Sequence, residues 1–331
     1  MAYSSQIIQQ ATALLDRRRA AHQAQQRRVR AQVYEALPEV KQIDARLRAG
    51  MLALTAAAFD HGTDPAPRVA EIRQQNQALQ QRRRQALSQG GFAPDCLDDA
   101  PLCPKCGDRG WRGSEMCDCL RQLCAREQIK SLSSLLELGD QRFETFSLDW
   151  YSTEYDDELG MSHRENMRMV EQICRSYAEK FGKYQVHNLF LTGAPGLGKT
   201  FLSACIARVV SEKGFSVVYD TAVAIFTNFE DAKFGRGEEA DAAVERYLSC
   251  DLLILDDLGS ELTSSMSQSA LYTLINSRLM ADRHTVISSN LSLDDVRRRY
   301  QPMIASRLEG EYRELSFVGQ DIRVLRKNAA T

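Results

Sequence analysis

The stretch from His187 to Thr200 constrains the fold of this chain more than any other part of the sequence. A short apolar run, Leu189 to Leu191, is typical of a buried strand, and it leads directly into Gly193-Ala194-Pro195-Gly196-Leu197-Gly198-Lys199-Thr200. This segment fits the pattern G-x-x-x-x-G-K-[ST] between a strand and a helix. Glycines allow backbone conformations that are closed to other residues, so that successive N–H groups turn inward on a phosphate chain. The spacing therefore predicts a phosphate-binding loop at the end of a buried strand.

The expected roles of the loop's side chains follow from phosphate chemistry. Lys199 would neutralise oxygens of the β- and γ-phosphates of ATP, and the Thr200 hydroxyl would ligate Mg²⁺. The helix that begins near Lys199 adds the positive end of its dipole. A Gly-rich turn that matches by chance is the alternative, but the amphipathic run after Thr200 supplies the expected context. The residues expected to bind the nucleotide are Gly193, Ala194, Pro195, Gly196, Leu197, Gly198, Lys199, Thr200 and Phe201.

Two further apolar runs end in polar side chains that could contact Mg²⁺, the γ-phosphate or the attacking water. Leu252 to Leu255 is followed by Asp256, which would hold the Mg²⁺ shell, and by Asp257, which would polarise the attacking water. Val286-Ile287-Ser288-Ser289-Asn290 ends in an amide suited to the γ-phosphate or the water, although an Asn that closes a strand is often a turn residue. Strands and helices alternate here, which predicts an α/β fold with a parallel sheet and flanking helices.

Two arginines beyond these strands are candidates for contacts with the γ-phosphate. Arg307 lies on an otherwise apolar predicted helix, where an arginine either extends to solvent or reaches an anion. The functional alternative is an arginine finger that acts on a neighbouring subunit. Arg323 is a second candidate for sensing the nucleotide. Before the phosphate loop, Phe143 and Phe146 are candidates to cover the base, and ordinary packing is equally expected of them.

Cysteine spacing predicts a metal site in the preceding region. Four of the nine cysteines lie close together, as a C-x-x-C pair at Cys103 and Cys106 and a C-x-C pair at Cys117 and Cys119. Four thiolates at this spacing can surround a structural Zn²⁺, which would replace a hydrophobic core in so short a module. Cys96 and Cys124 are close enough in sequence to be substitute ligands. A redox dithiol is the alternative for the first pair and leaves the second pair unexplained.

The N-terminal region is basic and helical in character. Residues 1–90 carry 14 Lys and Arg against 7 Asp and Glu, a net charge of +7 in a chain whose total is −2. Few glycines occur there, and Pro38, the Gly50 region and residues 61–67 divide it into about three helices. A recurring apolar stripe from Val40 to Leu54 suits helix pairing or docking on a partner protein. Arg82-Arg83-Arg84 is expected to be solvated.

These features predict three domains. They are a helical, coiled-coil-like partner-binding region at 1–95, a zinc-binding module with a linker helix (Leu120 to Leu138, ending at Gly139) at 96–139, and an ATPase domain at 140–331. Within the last, Lys233 and Arg236 lie in a polar segment where they are either solvated or reach DNA. No run is long enough to span a membrane, and the first residues lack the apolar core of a signal peptide, so we expect a cytoplasmic protein.

Taken together, the phosphate loop, Asp256-Asp257, Ser288-Ser289-Asn290 and Ser306-Arg307-Leu308 resemble the AAA+ ATPases of the bacterial and phage helicase-loader type, the DnaC/DnaI group, with the IstB transposition ATPases as near relatives. The resemblance covers roughly residues 140–327. It implies that Lys199 and Thr200 are the Walker A residues, Asp256 and Asp257 the Walker B residues, and Asn290 the first sensor. By the same resemblance Arg307 is the arginine finger and Arg323 the second sensor. The Asp-Asp ending of Walker B, in place of Asp-Glu, favours slow turnover.

The resemblance also implies partners and a role in DNA replication. These are ATP-driven formation of a homo-oligomer, contact with single-stranded DNA, and capture of a DnaB-type replicative helicase by the N-terminal region. Two alternatives stay open. One is a transposition-target ATPase of the IstB kind, and the other is a zinc-stabilised adaptor whose ATP site only gates binding.

Overall fold

The computed structural model describes residues 3–58, 66–135, 141–183 and 185–329. The chain divides into two compact units, one formed by Met1–Thr12 with Asp118–Thr331 and one formed by Ala13–Cys117. The predicted division into domains at 1–95, 96–139 and 140–331 stays a prediction.

The unit formed by Ala13–Cys117 is built mainly from helices. Its elements are α1 (Ser5–Ala36, which begins in the other unit), α2 (Pro38–Ala58), α3 (Ala66–Gln89) and a short antiparallel pair, β1 (Trp111–Arg112) and β2 (Glu115–Met116). The three predicted helices are therefore confirmed. Proline is suited to the first position of a helix because its missing N–H would have no partner there, and Pro38 opens α2 in this way. Val33, Val40, Leu87 and Leu97 form the apolar cluster that packs these helices together.

The prediction that the Gly50 region interrupts the helix is wrong. Gly50 lies inside α2 and does not interrupt it, because its role is close helix packing: a Cβ there would lie 2.3 Å from Oδ1 of Asn76 on α3. The apolar stripe on α2 is buried only toward its start, at Val40 and Ile43, whereas Met51 is 68% exposed. The stripe thus packs α2 at one end and leaves apolar surface at the other.

The arginine run Arg82-Arg83-Arg84 also departs from expectation at its centre. The Arg83 side chain is 15% exposed and forms ion pairs of 2.9 Å with both Asp44 and Asp98. A half-buried guanidinium between two carboxylates stabilises packing, so this residue belongs to the structure of the unit and not to a solvated face. Arg82, at 66% exposure, matches the expectation.

The unit that contains Asp118–Thr331 is organised around a five-stranded parallel sheet with strand order β6-β7-β8-β5-β9. The strands are β5 (Asn188–Thr192), β6 (Val217–Thr221), β7 (Leu252–Leu258), β8 (His284–Ser289) and β9 (Arg313–Ser316). The helices are α4 (Asp118–Leu135), α5 (His163–Glu179), α6 (Lys199–Glu212), α7 (Ala222–Lys233), α8 (Glu238–Ser249), α9 (Ser265–Met280), α10 (Leu293–Arg299), α11 (Pro302–Glu311) and α12 (Ile322–Ala329). A short antiparallel pair, β3 (Tyr155–Asp156) and β4 (Met161–Ser162), precedes α5.

Apolar clusters cover both faces of this sheet. One packs α5 and α6 against it, around Met167 and Leu202, and the other packs helices α7 to α11, around Leu271 and Leu308. All five residues of β5 are buried, as expected for a central parallel strand. Because β5, β7 and β8 run parallel as neighbours, their carboxyl ends bring the three predicted motifs to one edge. The predicted fold class is confirmed as an α/β fold, in which a parallel sheet with flanking helices follows a helical region and a small cysteine module.

Element boundaries differ in detail from the sequence-based expectation. The run from Phe215 to Tyr219 also predicts a strand, with Thr221 as the cap of the next helix, and the strand of the structure is displaced by two residues, to Val217–Thr221. Thr221 caps α7 as predicted, since its hydroxyl accepts a hydrogen bond from the Ala224 N–H at 3.2 Å. The predicted helix from Leu120 begins at Asp118 as α4, and its expected end at Gly139 lies outside the described residues.

Candidate functional site

The phosphate loop lies between β5 and α6, as predicted. Gly198 has a φ of 91° and immediately precedes α6, a backbone conformation that favours glycine. Gly196 has a φ of 78°, and a Cβ there would lie 2.0 Å from Oδ1 of Asp321. Both positions therefore require glycine for conformation, and Gly196 also for space. The loop leaves the N-terminus of α6 free to face an anion.

The Lys199 ammonium lies within the loop and donates three hydrogen bonds. Its acceptors are the carbonyl oxygens of Gly193 at 2.5 Å and Ala194 at 2.8 Å and Oδ1 of Asn290 at 2.7 Å. Burial lowers the pKa of Lys199, and the charges of Asp256 and Asp257 oppose that shift. The ammonium is thus held at the junction of the loop, β7 and β8, where a triphosphate would replace its present acceptors.

The Asp256 carboxylate is surrounded by hydroxyl donors. Oδ2 accepts from Thr200 at 3.2 Å and from Tyr219 at 2.7 Å, and Oδ1 accepts from Ser288. Burial, with the charge of Asp256, raises the pKa of Tyr219 well above its usual value, so its hydroxyl stays a donor. Asp256 is 7% exposed, and these donors fix its orientation.

The pair Thr200 and Asp256 fits a magnesium ion. Adjacent oxygen ligands in octahedral Mg²⁺ sites lie about 3 Å apart, because each Mg–O distance is about 2.1 Å. The 3.2 Å between the Thr200 hydroxyl and Asp256 Oδ2 is close to that spacing. The two oxygens predicted to share the Mg²⁺ are therefore already neighbours.

Asp257 and Asn290 meet at the end of neighbouring strands. Nδ2 of Asn290 donates to Oδ1 of Asp257 at 3.0 Å, while its Oδ1 accepts from Lys199. Asp257 adopts a φ of 59°, in the left-handed region, and its N–H donates to the Ser288 hydroxyl at 3.0 Å. A non-glycine residue in this region is uncommon and clusters at functional sites. The strained backbone directs the Asp257 carboxylate toward the amide of Asn290.

These side chains line one cavity of about 1210 Å³. Its wall also includes Phe146, Trp150, Arg323 and Arg326. The role of Phe146 in covering a base stays a prediction, but Phe146 does line the cavity. Phe143 does not: it is 5% exposed and packs in the core, with the Arg175 guanidinium 5.0 Å from its ring centre.

Arg307 lies elsewhere. It lines a different groove, next to Arg283 and Arg313, and its guanidinium contacts Asn276 and Tyr272 on α9. It therefore has no place at the nucleotide cavity of its own chain. This position agrees with a role toward a neighbouring molecule.

Four cysteine sulfur atoms form a second candidate site. The Sγ atoms of Cys103, Cys106, Cys117 and Cys119 lie within 4.8 Å of one another. Zn–S bonds of about 2.3 Å place tetrahedral sulfurs about 3.8 Å apart, and the Sγ atoms of Cys103 and Cys117 are 3.8 Å apart. The Gly110 N–H donates to Sγ of Cys106 at 3.3 Å, as expected of a turn that stabilises a thiolate. This donor set fits Zn²⁺.

The two suggested substitute ligands are not part of this group. Cys124 is fully buried, and burial raises its thiol pKa to about 11, which disfavours the thiolate that zinc requires. Cys96 packs beside the apolar cluster around Leu87, and burial raises its pKa as well.

Sequence reasoning missed several residues of the nucleotide cavity. Tyr219 contacts the site only through Asp256, and a tyrosine in a predicted strand gave no local signal of that contact. Trp150 and Arg326 are far from any motif, and only the fold brings them to the cavity. Tyr151 stabilises the phosphate loop, because its buried hydroxyl donates a hydrogen bond to the Leu197 carbonyl at 2.9 Å.

Within the described residues, no helix is both long enough and apolar enough to cross a bilayer.

Comparison with known proteins finds similarity to an ATP-binding family and to replicative helicase loaders. Residues 168–306 match the family model described as IstB-like ATP binding protein. The replicative helicase loader DnaC of Buchnera aphidicola subsp. Acyrthosiphon pisum is 23% identical over 211 residues, which is 63% of this chain and 80% of that protein. The ATP-binding protein of insertion sequence IS1162 from Pseudomonas fluorescens is 26% identical over 135 residues, 40% of this chain and 55% of that protein.

Among solved structures, the crystal structure of the DnaC helicase loader matches with a TM-score of 0.44 and 19% identity, covering 53% of this chain and 98% of that chain. The family match spans α5 to α11 and so includes the phosphate loop, both aspartates and Asn290. Residues 168–306 are therefore similar to IstB-like ATP binding proteins, and the chain is similar to the replicative helicase loader DnaC.

Proposed function

We propose that this protein is a slow, Mg²⁺-dependent ATPase that loads a DnaB-type replicative helicase onto DNA. One observation carries the proposal: a single cavity gathers the Lys199 ammonium, the Thr200–Asp256 oxygen pair and the Asp257–Asn290 pair. These are the groups that phosphoryl transfer requires, namely a cation for the phosphates, oxygens for Mg²⁺ and a carboxylate beside a hydrogen-bonding amide for the water. A cytoplasmic location is part of this proposal.

ATP binding changes the contacts of Lys199 and Asn290. The ammonium exchanges the carbonyl oxygens of Gly193 and Ala194 for phosphate oxygens, which are stronger acceptors because they are charged. Asn290 links Lys199 to Asp257, because its Oδ1 accepts from Lys199 and its Nδ2 donates to Asp257. The second hydrogen on Nδ2 can donate to the γ-phosphate or to the attacking water. Bound Mg²⁺ would supply neutralisation of the phosphate charge. Nucleotide binding therefore changes the hydrogen bonds of the Asp257–Asn290 pair, which positions the attacking water.

Turnover is expected to be slow in the isolated chain. Asp257 is one methylene shorter than the glutamate of the usual Walker B, and its carboxylate is engaged by Asn290. Arg307 lies outside the cavity, so the γ-phosphate lacks an arginine finger until a second subunit supplies one. We infer a homo-oligomer that forms on ATP binding, with Arg307 of one subunit at the nucleotide of the next. Arg323 acts within its own subunit as the second sensor.

Single-stranded DNA is the proposed nucleic-acid partner. Phe234 is 59% exposed at the end of α7, and the Arg236 guanidinium lies 5.1 Å from its ring centre. Lys233 precedes it. An exposed aromatic ring beside cations is suited to stacking on bases while the charges contact phosphates. The sequence suggested the two cations, and the structure adds the ring between them.

The N-terminal helices and the zinc-binding module are the proposed surface for the helicase. Support for helicase loading comes from relatives that are named replicative helicase loaders and that align over most of their own length. The basic charge of residues 1–90 and the exposed end of the α2 stripe at Met51 and Leu52 provide a surface for a protein partner.

A loading assay tests the proposal. The full chain, ATP and a DnaB-type hexamer are incubated with circular single-stranded DNA coated by a single-strand binding protein, and helicase on the circle is quantified. We expect loading with the wild-type chain and loss of it with Lys199→Ala. An exposed lysine, Lys183, provides the matched control, because Lys183→Ala leaves the phosphate loop intact. Equal loading by Lys199→Ala would exclude a role of nucleotide binding in loading and so refute the proposal.

A transposition-target ATPase is the second candidate, since the matching family model and the relative from IS1162 belong to that class by name. The helicase-loader relative aligns over a larger share of this chain, 63% against 40%, and so favours loading. Recruitment of a transposase to duplex DNA, with no effect on a helicase, would reverse the order of the two candidates.

A further inference from the structure

The Arg307 guanidinium is held by two side chains of α9. Its Nε and Nη2 atoms both donate to Oδ1 of Asn276, at 3.2 Å and 2.6 Å, and Nη2 also lies 3.3 Å from the Tyr272 hydroxyl. The guanidinium carbon lies 4.8 Å from the centre of the Tyr272 ring. Tyr272 and Asn276 are four residues apart on α9, so they present one continuous face to α11. One oxygen and one ring face together restrict both the position and the plane of the guanidinium.

The partners of Arg307 are neutral side chains, which leaves its charge available to an incoming phosphate. In the part of the chain that the structure describes, no carboxylate lies within ion-pair distance of this guanidinium. A carboxylate would compete with an incoming phosphate, whereas an amide oxygen and an aromatic ring orient the cation and leave its charge uncompensated. Tyr272, Asn276 and Arg307 are only partly exposed, so packing restricts the arginine to few rotamers.

We propose that Asn276 and Tyr272 are positioning residues that aim Arg307 at the γ-phosphate bound by a second copy of this chain. The inference rests on the proposed function, in which Arg307 acts on the neighbouring subunit. An arginine that has to reach across an interface loses catalytic effect when its direction varies, because misplacement by about 1 Å can cost about 100-fold in rate. The pair on α9 removes that freedom before the subunits meet.

The alternative is that Asn276 and Tyr272 only attach α11 to α9. Both alternatives predict a weaker ATPase in a simple Asn276→Ala chain, so that measurement does not separate them. A mixture of two complementary chains does. Lys199→Ala lacks a working nucleotide site but keeps Arg307, and Arg307→Ala keeps the site but lacks the arginine. When the two are mixed, ATP is hydrolysed where a site from one chain meets Arg307 from the other.

Asn276→Ala is then placed in one chain of the mixture at a time, and steady-state ATP hydrolysis is measured. In the chain that supplies Arg307, we expect the restored hydrolysis to fall between about 10-fold and about 100-fold. In the chain that supplies the nucleotide site, we expect no change. Tyr272→Leu should follow the same pattern, and Tyr272→Phe should have a smaller effect because it keeps the ring under the guanidinium. Thermal unfolding and sedimentation of each chain verify that folding and association are preserved.

Equal losses in either chain, or none in the chain that supplies Arg307, would overturn the positioning role while leaving the proposed function standing. A mixture of Lys199→Ala and Arg307→Ala that hydrolyses no more ATP than its separate components would refute the action of Arg307 across an interface, and the positioning role with it.

Discussion

The Tyr219 hydroxyl gives a sharp test of the magnesium site because a matched tyrosine lies on the same unit. Tyr219 is 6% exposed and donates to Asp256 Oδ2 at 2.7 Å. Tyr247 is 2% exposed, donates to Asp220 Oδ2, also at 2.7 Å, and accepts from Asn228, but Asp220, unlike Asp256, does not line the nucleotide cavity. Replacing either by phenylalanine removes one hydrogen bond to a buried or half-buried carboxylate and keeps the ring.

The stability cost of the two variants is expected to be similar. A hydrogen bond to a charged acceptor contributes about 1.5 to 3 kcal/mol, so each variant should lose free energy of unfolding in that range. Nucleotide binding should differ between them. In Tyr219→Phe the Asp256 carboxylate keeps its contacts with Thr200 and Ser288 but loses one of the two donors to Oδ2. Loss of such a supporting group typically costs about 10-fold or more in metal affinity.

Isothermal titration with ATP over a series of Mg²⁺ concentrations measures this effect. We expect Tyr219→Phe to need about 10-fold more Mg²⁺ for half-maximal ATP binding, which corresponds to about 1.4 kcal/mol, and to bind ATP normally when Mg²⁺ is chelated. Tyr247→Phe should bind as wild type at every Mg²⁺ concentration. If the two variants show the same Mg²⁺ dependence, Asp256 does not depend on Tyr219 and the reasoning fails.

Three further predictions address other parts of the molecule. Phe234→Ala should weaken single-stranded DNA binding by about 1 to 3 kcal/mol in fluorescence anisotropy, because one stacked base is lost. Met280→Ala, which removes an even more exposed apolar side chain elsewhere, should not, and equal weakening by both would exclude stacking. Cys117→Ser should reduce zinc below one equivalent per chain by metal analysis while Cys124→Ser retains it; zinc retention by the first would argue against the four-cysteine site. Burial, helped by a neighbouring histidine, lowers the pKa of His284 from 6.5 to about 4, so its contribution to stability is complete above pH 6.5 and is lost as the pH falls toward 4. Denaturant unfolding should show this decline in wild type and a smaller one in His284→Phe; parallel curves would contradict it.

Much of the nucleotide site was predictable because its residues follow buried strands directly. Asp256 and Asn290 each end an apolar run, and parallel strands deliver their carboxyl ends to the same edge of a sheet. The sequence does not predict the strand order, in which β8 lies between β7 and β5. Any order that makes these three strands neighbours would bring the same side chains together. The grouping of the four cysteines was equally predictable, since their spacing in the sequence restricts which thiols can approach one another.

Residues that reach the site through packing were not predictable. Phe143 and Phe146 looked alike in sequence, but only Phe146 faces the cavity, because the turn between them directs Phe143 into the core. Gly50 looked like a helix break, and it is instead a point of close approach to α3. Tyr219 gives no local signal, since a tyrosine in a strand usually packs, and its hydroxyl finds Asp256 only across the pairing of β6 with β7.

Direct measurement of ATP binding tests the central claim, that a triphosphate binds between Lys199 and the Thr200–Asp256 pair. The account predicts that calorimetry on the purified full chain detects ATP binding that strengthens with Mg²⁺, and that Lys199→Ala abolishes it while Lys183→Ala does not. ATP binding that is indifferent to Mg²⁺ and unchanged in Lys199→Ala would contradict the account.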